Sequence, residues 1–298
     1  MKVVECVPNF SEGRDRGKVE RIASAVTQVP GVKLLDYSSE EAHNRSVVTF
    51  LGEPGAVREA ALRCCLEALE LIDMRVHKGA HPRIGAVDVV PFIPIRSMEM
   101  GEAVALSRRF GQELGERGGL PVYFYGESAA APGRRKLSDI RKGEYEGLTA
   151  KLRQAEWRPD AGSSEFNAKS GAAVVGARFP LIAFNVNLQS TDLALAKQLA
   201  RKIRESSGGI PTVQALGVDL KEKGMVQVSM NLTNFKRASI PTVVSFIGRE
   251  LSGTGVEIAE TELIGLVPLE ALEEVARDCL KMTGFTSKQV IETHLLPE

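Results

Sequence analysis

The residues best suited to acid–base chemistry are the histidines, three of which fall within the first 81 positions of the chain. Two of them belong to the short stretch His77-Lys-Gly-Ala-His81-Pro-Arg83. A spacing of four residues is typical of a metal-binding pair on a helix, but Gly79 and Pro82 both disfavour a helix here. The glutamate of a zinc-protease motif is also missing. The sequence therefore predicts no metal site.

His81 is instead predicted to lie in a loop just ahead of a strand, with Arg83 beside it. A neutral imidazole titrates at about pH 6.5 and can accept a proton under cellular conditions, which makes His81 a candidate general base. The spacing leaves one alternative open, namely a histidine that only hydrogen-bonds its own loop.

Further polar side chains lie in two turns of the N-terminal half. Arg45 follows Asn44 in a polar turn ahead of an apolar strand, and its guanidinium suits a glutamate-like carboxylate. Asn9, Ser11 and Glu12 occupy the turn after the first strand and offer donors and acceptors to a ligand. The alternatives are a solvated arginine in the first case and a capped helix start in the second.

A small, polar segment with one aromatic residue is the remaining candidate. It reads Gly162-Ser163-Ser164-Glu165-Phe166-Asn167-Ala168-Lys169-Ser170-Gly171. The Phe166 ring could pack on a flat heterocycle while neighbouring amides bond the edges of that ring system. The alternative is a plain linker. The glycines that follow form neither a GxGxxG motif nor a P-loop, so a nucleotide site is not predicted.

Composition narrows the class of protein. The 298 residues are 43% hydrophobic and 26% charged, as in a globular protein with a real core, and the formal net charge is zero. Zero net charge argues against a nucleic-acid partner. No apolar run reaches the length needed to cross a bilayer, and the N-terminus does not resemble a secretory signal. We expect a cytoplasmic protein with no membrane partner and with free, mostly buried thiols at its four cysteines.

The elements that must position these side chains repeat along the chain. Apolar periodicity predicts the order βαββαβαβ over residues 2–125 and βαββαβα over residues 181–282. Thr191 is the expected N-cap of the first helix in the second half. This order predicts an α+β fold, an α/β sandwich of two ferredoxin-like βαββαβ subdomains, with a central substrate cleft between them. We expect subdomains at residues 1–175 and 176–298, joined by an irregular linker at 134–173.

Several long motifs of the chain match a known family. They are VECVPNFSEG (4–13), HNRSVVTFLG (43–52), LIDMRVHKGAHPRIGAVDVVPFIPI (71–95), PVYFYGE (121–127), IRKGEYEGL (140–148), GARFPLIAFNVNL (176–188) and ELIGLVPLEAL (262–272). Through them the chain resembles the formiminotransferase family over nearly its full length. Members of that family occur alone in prokaryotes and are fused to a cyclodeaminase in animals. No cyclodeaminase region is present in these 298 residues.

The resemblance implies a set of residue roles. The histidine of the HPR-x-GA-x-DV motif, His81 here, is the catalytic base of the family. A folate-binding stretch follows the family's W-x-PD motif, which places it at residues 162–171 here. Tetrahydrofolate is the implied co-substrate, without a metal, and a homodimer is implied by the animal members. The residues expected to bind the substrate are Asn9, Ser11, Glu12, Asn44, Arg45, His77 and Arg83.

The chain departs from the animal members at three places. It has Ser38 where they carry an acidic residue, His43 where they carry threonine, and Glu165 within a stretch that reads GPSSF in them. Glu40 and Glu41 are the nearby carboxylates available to replace the missing one.

The implied reaction moves the formimino group of N-formimino-L-glutamate to N5 of tetrahydrofolate, as in histidine degradation. His81 would take the N5 proton and could return it to the departing glutamate nitrogen. Two alternatives remain open at this point. One is a sister transferase that uses N-formyl-glutamate, and the other is a non-catalytic folate-binding member of the family.

Overall fold

Two βαββαβ units follow one another along the chain, which confirms the predicted α+β fold. The computed structural model describes residues 1–291 and 293. The chain divides into one unit of residues 1–178 and a second of residues 179–298. Each unit is built on its own sheet.

The first unit carries the histidine loop. Its strands are β1 (Val3–Cys6), β2 (Asn9–Phe10), β3 (Val32–Glu40), β4 (Arg45–Gly52), β5 (Val87–Arg96), β6 (Pro121–Gly126), β7 (Ala161–Gly162) and β8 (Ala173–Ala177). Its α-helices are α1 (Arg16–Thr27), α2 (Pro54–Leu71), α3 (Met100–Gly118), α4 (Leu137–Arg141) and α5 (Leu148–Leu152).

The sheet of the first unit has a ferredoxin-like part and an extension. In the ferredoxin-like part β1 pairs antiparallel with both β4 and β5, β2 continues β1 between the same neighbours, and β3 pairs with the outer edge of β4. Beyond β5 the order continues β8, β6 and β7, with β8 parallel to both β5 and β6. The end of β2 and the starts of β4 and β5 therefore converge on one region.

The apolar spacing of the sequence explains the packing of this sheet. Along α1, the residues at helical spacing, Val19, Ile22 and Val26, are buried, and the Asp15 carboxylate caps the helix by accepting from the Lys18 N–H. In β4 alternate residues are buried, so one face of the strand joins the core with α1 and α2. Gly119 ends α3 in the left-handed conformation that glycine adopts freely.

The segment at 134–173, predicted to be an irregular linker within the first subdomain, is not irregular, because it contains regular secondary structure. The segment contains α4 and α5 and leads into β8, which lies inside the sheet. Its anchor is Arg134, whose Nη1 donates to the Asp160 carboxylate at 2.6 Å and whose guanidinium lies over the rings of Tyr123 and Trp157. Asp160 also accepts from the Phe124 N–H at 2.7 Å. Both members of the ion pair are about nine-tenths buried.

The second unit repeats the ferredoxin-like order without the extension. Its strands are β9 (Ile182–Leu188), β10 (Val213–Leu220), β11 (Met225–Leu232) and β12 (Ile258–Ile264), and its helices are α6 (Leu193–Ile203), α7 (Ile240–Leu251) and α8 (Leu269–Cys279). The strand order β10-β11-β9-β12 is antiparallel throughout.

One detail of the second unit corrects the sequence analysis. The N-cap of α6 is Asp192, which accepts from the Ala194 N–H at 2.8 Å, rather than the predicted Thr191. Over the residues that the structure describes, the helices are all too short or too polar to span a bilayer.

Loss of the Asp160 carboxylate should destabilise the first unit. We expect Asp160→Ala to lower the free energy of unfolding by roughly 3–5 kcal/mol, because the buried Arg134 loses its counter-ion. Trp157, the single tryptophan of the chain, lies against Arg134 and reports unfolding in urea by its fluorescence. The control is Asp139→Ala, which removes an exposed pair with Lys142 and should cost at most about 1 kcal/mol. Equal losses in the two variants would contradict the anchoring role.

Candidate active site

A narrow cavity brings together most of the polar residues singled out in the sequence. It lies in the first unit, where the β3–β4 turn meets the loop of residues 72–86 and the start of β5. The lining residues are Phe10, Ser11, His43, Asn44, Arg45, His77, His81, Arg83 and Asp88. Among residues 1–291 and 293, no three His, Cys, Asp or Glu side chains are grouped so that they could hold a metal ion.

His81 is a half-buried imidazole in a positively charged environment. Burial, followed by the charges of Arg45, Arg141 and His43, lowers its pKa from 6.5 to about 4, against a hydrogen bond with the Pro82 backbone that raises it. Its Nδ1 atom is buried and has no hydrogen-bond partner among the described residues. The ring is therefore neutral at cellular pH, with a nitrogen available to a ligand.

Arg45 and Arg141 supply most of that positive charge. Arg45 donates from Nε and Nη2 to the Asn9 side-chain oxygen, which leaves Nη1 for another partner. Arg141, at the end of α4, donates from Nη2 to Asp88, and its buried Nε–H has no partner among the described residues. Burial and the charge of Arg141 lower the pKa of Arg45, as expected for two cations held close together. An anionic ligand would relieve this repulsion.

His77 and Arg83 are committed to other protein groups. Arg83 donates from its terminal nitrogens to Glu144 and to both oxygens of Glu146, at 2.6–2.8 Å, and its Nε donates to His77 Nδ1 at 3.4 Å. Since Nδ1 of His77 accepts, its Nε2 must carry the hydrogen that is donated to the Asn44 carbonyl at 3.0 Å. Both side chains therefore link the histidine loop to neighbouring segments of the first unit. Their role in substrate binding stays a prediction.

Asn44 joins the histidine loop to the β3–β4 turn. Its side chain accepts from the Gly13 N–H at 2.9 Å and donates to the Lys78 carbonyl at 3.1 Å, while its backbone adopts a φ of 48°. Asparagine tolerates this left-handed conformation better than most residues. A Cβ at Gly79 would lie 2.2 Å from the His43 carbonyl, so the close approach of loop and turn requires glycine.

The turn after β1 is held mainly by its own hydrogen bonds. Ser11 donates from its hydroxyl to the Gly85 carbonyl at 2.8 Å, and Asn9 donates to the Val7 carbonyl at 2.8 Å while it holds Arg45. Glu12 accepts from two backbone N–H groups, at Arg14 and Asp15, just before α1, which is the capped helix start considered as the alternative. Ser11 thus lines the cavity, and Asn9 holds the Arg45 side chain that lines it.

The segment of residues 162–171 packs on the outside of the histidine loop rather than in the cavity. Lys169 accepts from the Met74 N–H at 2.8 Å, and Ser170 accepts from the Ala86 N–H at 2.9 Å, both through their carbonyls. The Phe166 ring lies 5.6 Å from that of Tyr145, whose hydroxyl donates to the Ala168 carbonyl. A folate-binding role of this segment stays a prediction.

Two residues of the site were not chosen from the sequence. Arg141 lies sixty positions after His81, and the only signal for it was its place in the matched stretch IRKGEYEGL. His43 was noted only as a departure from the animal members, yet its ring centroid lies 5.8 Å from that of His81. The pairing of β3 with β4 brings His43 to the cavity, and the docking of α4 brings Arg141 beside Asp88, which lines the cavity.

Comparison with known proteins identifies the relatives of this chain. Residues 3–178 match the family model described as "Formiminotransferase domain, N-terminal subdomain", and residues 183–292 match the model "Formiminotransferase domain". The chain is 41% identical to the glutamate formimidoyltransferase of Streptococcus pyogenes serotype M1, over 99% of both chains. It is 43% identical to the enzyme of that name from Thermoplasma acidophilum, over 98% of this chain and 97% of the relative. It is 47% identical to the formimidoyltransferase-cyclodeaminase of Rattus norvegicus, over 92% of this chain and 52% of the relative.

The depressed pKa of His81 can be measured directly. We expect its ring signals in an NMR titration, assigned with His81→Gln, to give a midpoint near 4. Arg45→Gln should raise that midpoint because it removes the positive charge with the largest effect on the pKa of His81. The control Arg58→Gln, which alters an ion pair with Glu113 on the helices, should leave it unchanged. A midpoint of about 6.5 or above in the unaltered protein would refute this description of the site.

The same shift predicts how stability depends on pH. Between pH 4 and 6.5 the unfolded chain binds a proton at His81 that the native protein does not, so the free energy of unfolding falls as the pH is lowered through this range. His81→Gln removes this titration, and its stability should fall less steeply than that of the unaltered protein. Thermal unfolding at several pH values provides the measurement, and parallel curves would contradict the shift.

Proposed function

This chain belongs to the formiminotransferase family, and we propose that it transfers the formimino group of N-formimino-L-glutamate to N5 of tetrahydrofolate, releasing L-glutamate. It is a transferase of the formimidoyl type, as are the curated relatives that it matches over nearly its whole length. Tetrahydrofolate serves as co-substrate, and the proposed setting of the reaction is histidine degradation in the cytoplasm.

The observation that best supports this chemistry is the neutral His81 in a cavity lined by cationic side chains. In the first step the N5 amine attacks the formimino carbon, so the C–N5 bond forms as the C=N double bond opens to a tetrahedral centre, and this double bond re-forms when the glutamate nitrogen leaves. The nitrogen that has attacked must lose its proton, and His81 is the group that accepts it. The bond from that carbon to the glutamate nitrogen then breaks as this nitrogen gains a proton.

The two arginines provide the means to hold the donor. A glutamate-like substrate carries carboxylates, which pair with guanidinium groups through strong, directional hydrogen bonds. Arg141 has a buried Nε–H without a partner among the described residues, and Arg45 keeps Nη1 for a ligand. Both therefore offer donors that a carboxylate would satisfy.

Binding of the donor would also make His81 a stronger base. Burial of the ring and repulsion of the imidazolium by Arg45 and Arg141 both disfavour a proton on His81. Carboxylates paired with these arginines would offset their charge and raise the pKa of His81 toward neutrality. A base that strengthens when the substrate is in place takes the N5 proton more readily.

The folate is proposed to contact residues 162–171. This segment is fixed to the histidine loop by the backbone hydrogen bonds of Lys169 and Ser170, so its position relative to His81 is set by the fold. Phe166 and Tyr145 form an aromatic pair on which the edge of a pterin or the aminobenzoyl ring could rest.

Replacement of the base should abolish most turnover. We expect His81→Gln to lower kcat by roughly a hundredfold to ten-thousandfold, while tetrahydrofolate still binds. Product is followed by its absorbance, with N-formimino- and N-formyl-L-glutamate as alternative donors, and binding is followed by calorimetry. Faster transfer from the formyl donor would reassign the substrate. Folate binding without transfer from either donor would identify a binding protein, and a fully active His81→Gln would remove His81 from the mechanism.

Arg141 is predicted to act on donor binding more than on the chemical step. Arg141→Lys keeps the charge beside Asp88 but removes the Nε–H, so KM for the donor should rise tenfold to a hundredfold, as expected from roughly 1.5–3 kcal/mol for a hydrogen bond to a charged group. The matched control is Arg135→Lys, in an exposed pair with Glu127. An unchanged KM in Arg141→Lys would show that Arg141 does not contact the donor.

A further inference from the structure

A second imidazole faces the catalytic cavity from the β3–β4 turn. His43 lines the same cavity as His81, and the two rings meet edge to face at an interplanar angle of 74°. The Nδ1 atom of His43 lies 2.6 Å from the Glu40 carboxylate. Since a carboxylate only accepts, Nδ1 carries the hydrogen, and Nε2 is the nitrogen that can exchange a proton with a ligand. Nε2 forms no hydrogen bond with the residues that the structure describes.

The turn geometry fixes this pair in place. Glu40, the last residue of β3, is opposite Arg45, the first residue of β4. The contact between Glu40 and His43 therefore lies at the turn that joins these two strands. The Asn44 N–H closes the turn by donating to the Glu41 carbonyl at 3.2 Å. Gly79 of the histidine loop packs directly against the His43 carbonyl. The position of His43 relative to His81 is therefore set by the same contacts that form the cavity.

The two histidines differ in the charges around them. A proton on His81 is repelled by Arg45 on β4, by Arg141 on α4 and by His43, and no carboxylate within residues 1–291 and 293 forms a hydrogen bond with its ring. His43 has the Glu40 carboxylate in direct contact with its Nδ1. A proton is thus poorly accommodated on His81, whereas the Glu40 carboxylate fixes the orientation of the His43 ring. The two imidazoles therefore differ in their partners, which suits two different roles in proton transfer.

The transfer reaction needs both roles. The attacking N5 atom loses a proton, and the departing glutamate nitrogen must gain one, because an unprotonated amide-like anion is a poor leaving group. These two nitrogens are attached to the same carbon but point in different directions from it. Two proton carriers on different segments of the chain that line one cavity suit this geometry better than one.

We propose that His43, oriented by Glu40, is the general acid that protonates the departing glutamate nitrogen while His81 accepts the proton of N5. The inference rests on the proposed transferase function. In balance, the C–N5 bond forms as the N5 proton moves to His81, and the bond from carbon to the glutamate nitrogen breaks as that nitrogen takes the Nε2 proton of His43. Transfer of the proton from His81 to His43 restores the starting state.

The test compares His43→Gln, Glu40→Gln and the matched control Glu41→Gln, whose carboxylate is exposed and one residue from that of Glu40. We expect kcat of His43→Gln to fall by about a hundredfold, with a smaller fall for Glu40→Gln, because a positioned acid is lost or misoriented. KM for both substrates should change little. Glu41→Gln should keep its kcat within about twofold of the unaltered enzyme, since its side chain is not part of the pair.

The pH profile separates an acid from a merely structural residue. The dependence of kcat on pH should differ in shape between the unaltered enzyme and His43→Gln, while the folded fraction, followed by thermal unfolding, is the same. Full kcat in His43→Gln, or a pH profile of unchanged shape, would overturn the role of His43 and leave the transferase function intact. An unaltered protein that transfers no formimino group would overturn both.

Discussion

The repulsion between Arg45, Arg141 and a proton on His81 is the interaction on which the site depends. Burial, together with the two guanidinium groups beside it, keeps the His81 ring neutral far below its usual titration range. The same groups hold donors that the protein leaves unused, at Arg141 Nε and Arg45 Nη1. The positive charges of Arg45 and Arg141 repel each other, and we propose that the carboxylates of the substrate offset them. Substrate affinity and the strength of the base are in this way coupled through one set of charges.

The fold places these charges by joining segments that are remote in sequence. Arg45 begins β4, Arg141 ends α4, and His81 lies in the loop before β5. The loop and the β3–β4 turn are held together by both polar ends of Asn44 and by the close approach that Gly79 permits. The bonds of Arg83 to Glu144 and Glu146 attach the region after α4 to the same loop, so the site is braced on several sides.

Much of this could be predicted from the sequence, because local patterns specify local structure. Apolar spacing gave the repeated order of strands and helices, and Gly79 with Pro82 correctly placed His81 in a loop. The same patterns missed β8, since Ala173–Ala177 is short and rich in small residues yet buried inside the sheet. They also missed Arg141 and the pairing of Glu40 with His43, because these contacts depend on how distant elements dock. Local hydrogen-bonding capacity could not decide between Thr191 and Asp192 as a cap.

The most direct test of the central claim is the position of the folate relative to His81. A crystal structure with L-glutamate and a tetrahydrofolate analogue that carries carbon in place of N5 would hold both substrates without reaction. We predict that position 5 of the analogue lies within about 3.5 Å of a His81 ring nitrogen, as a proton transfer requires, with glutamate carboxylates on Arg45 and Arg141. A complex in which position 5 lies out of reach of His81, or in which the two arginines contact no carboxylate, would contradict it.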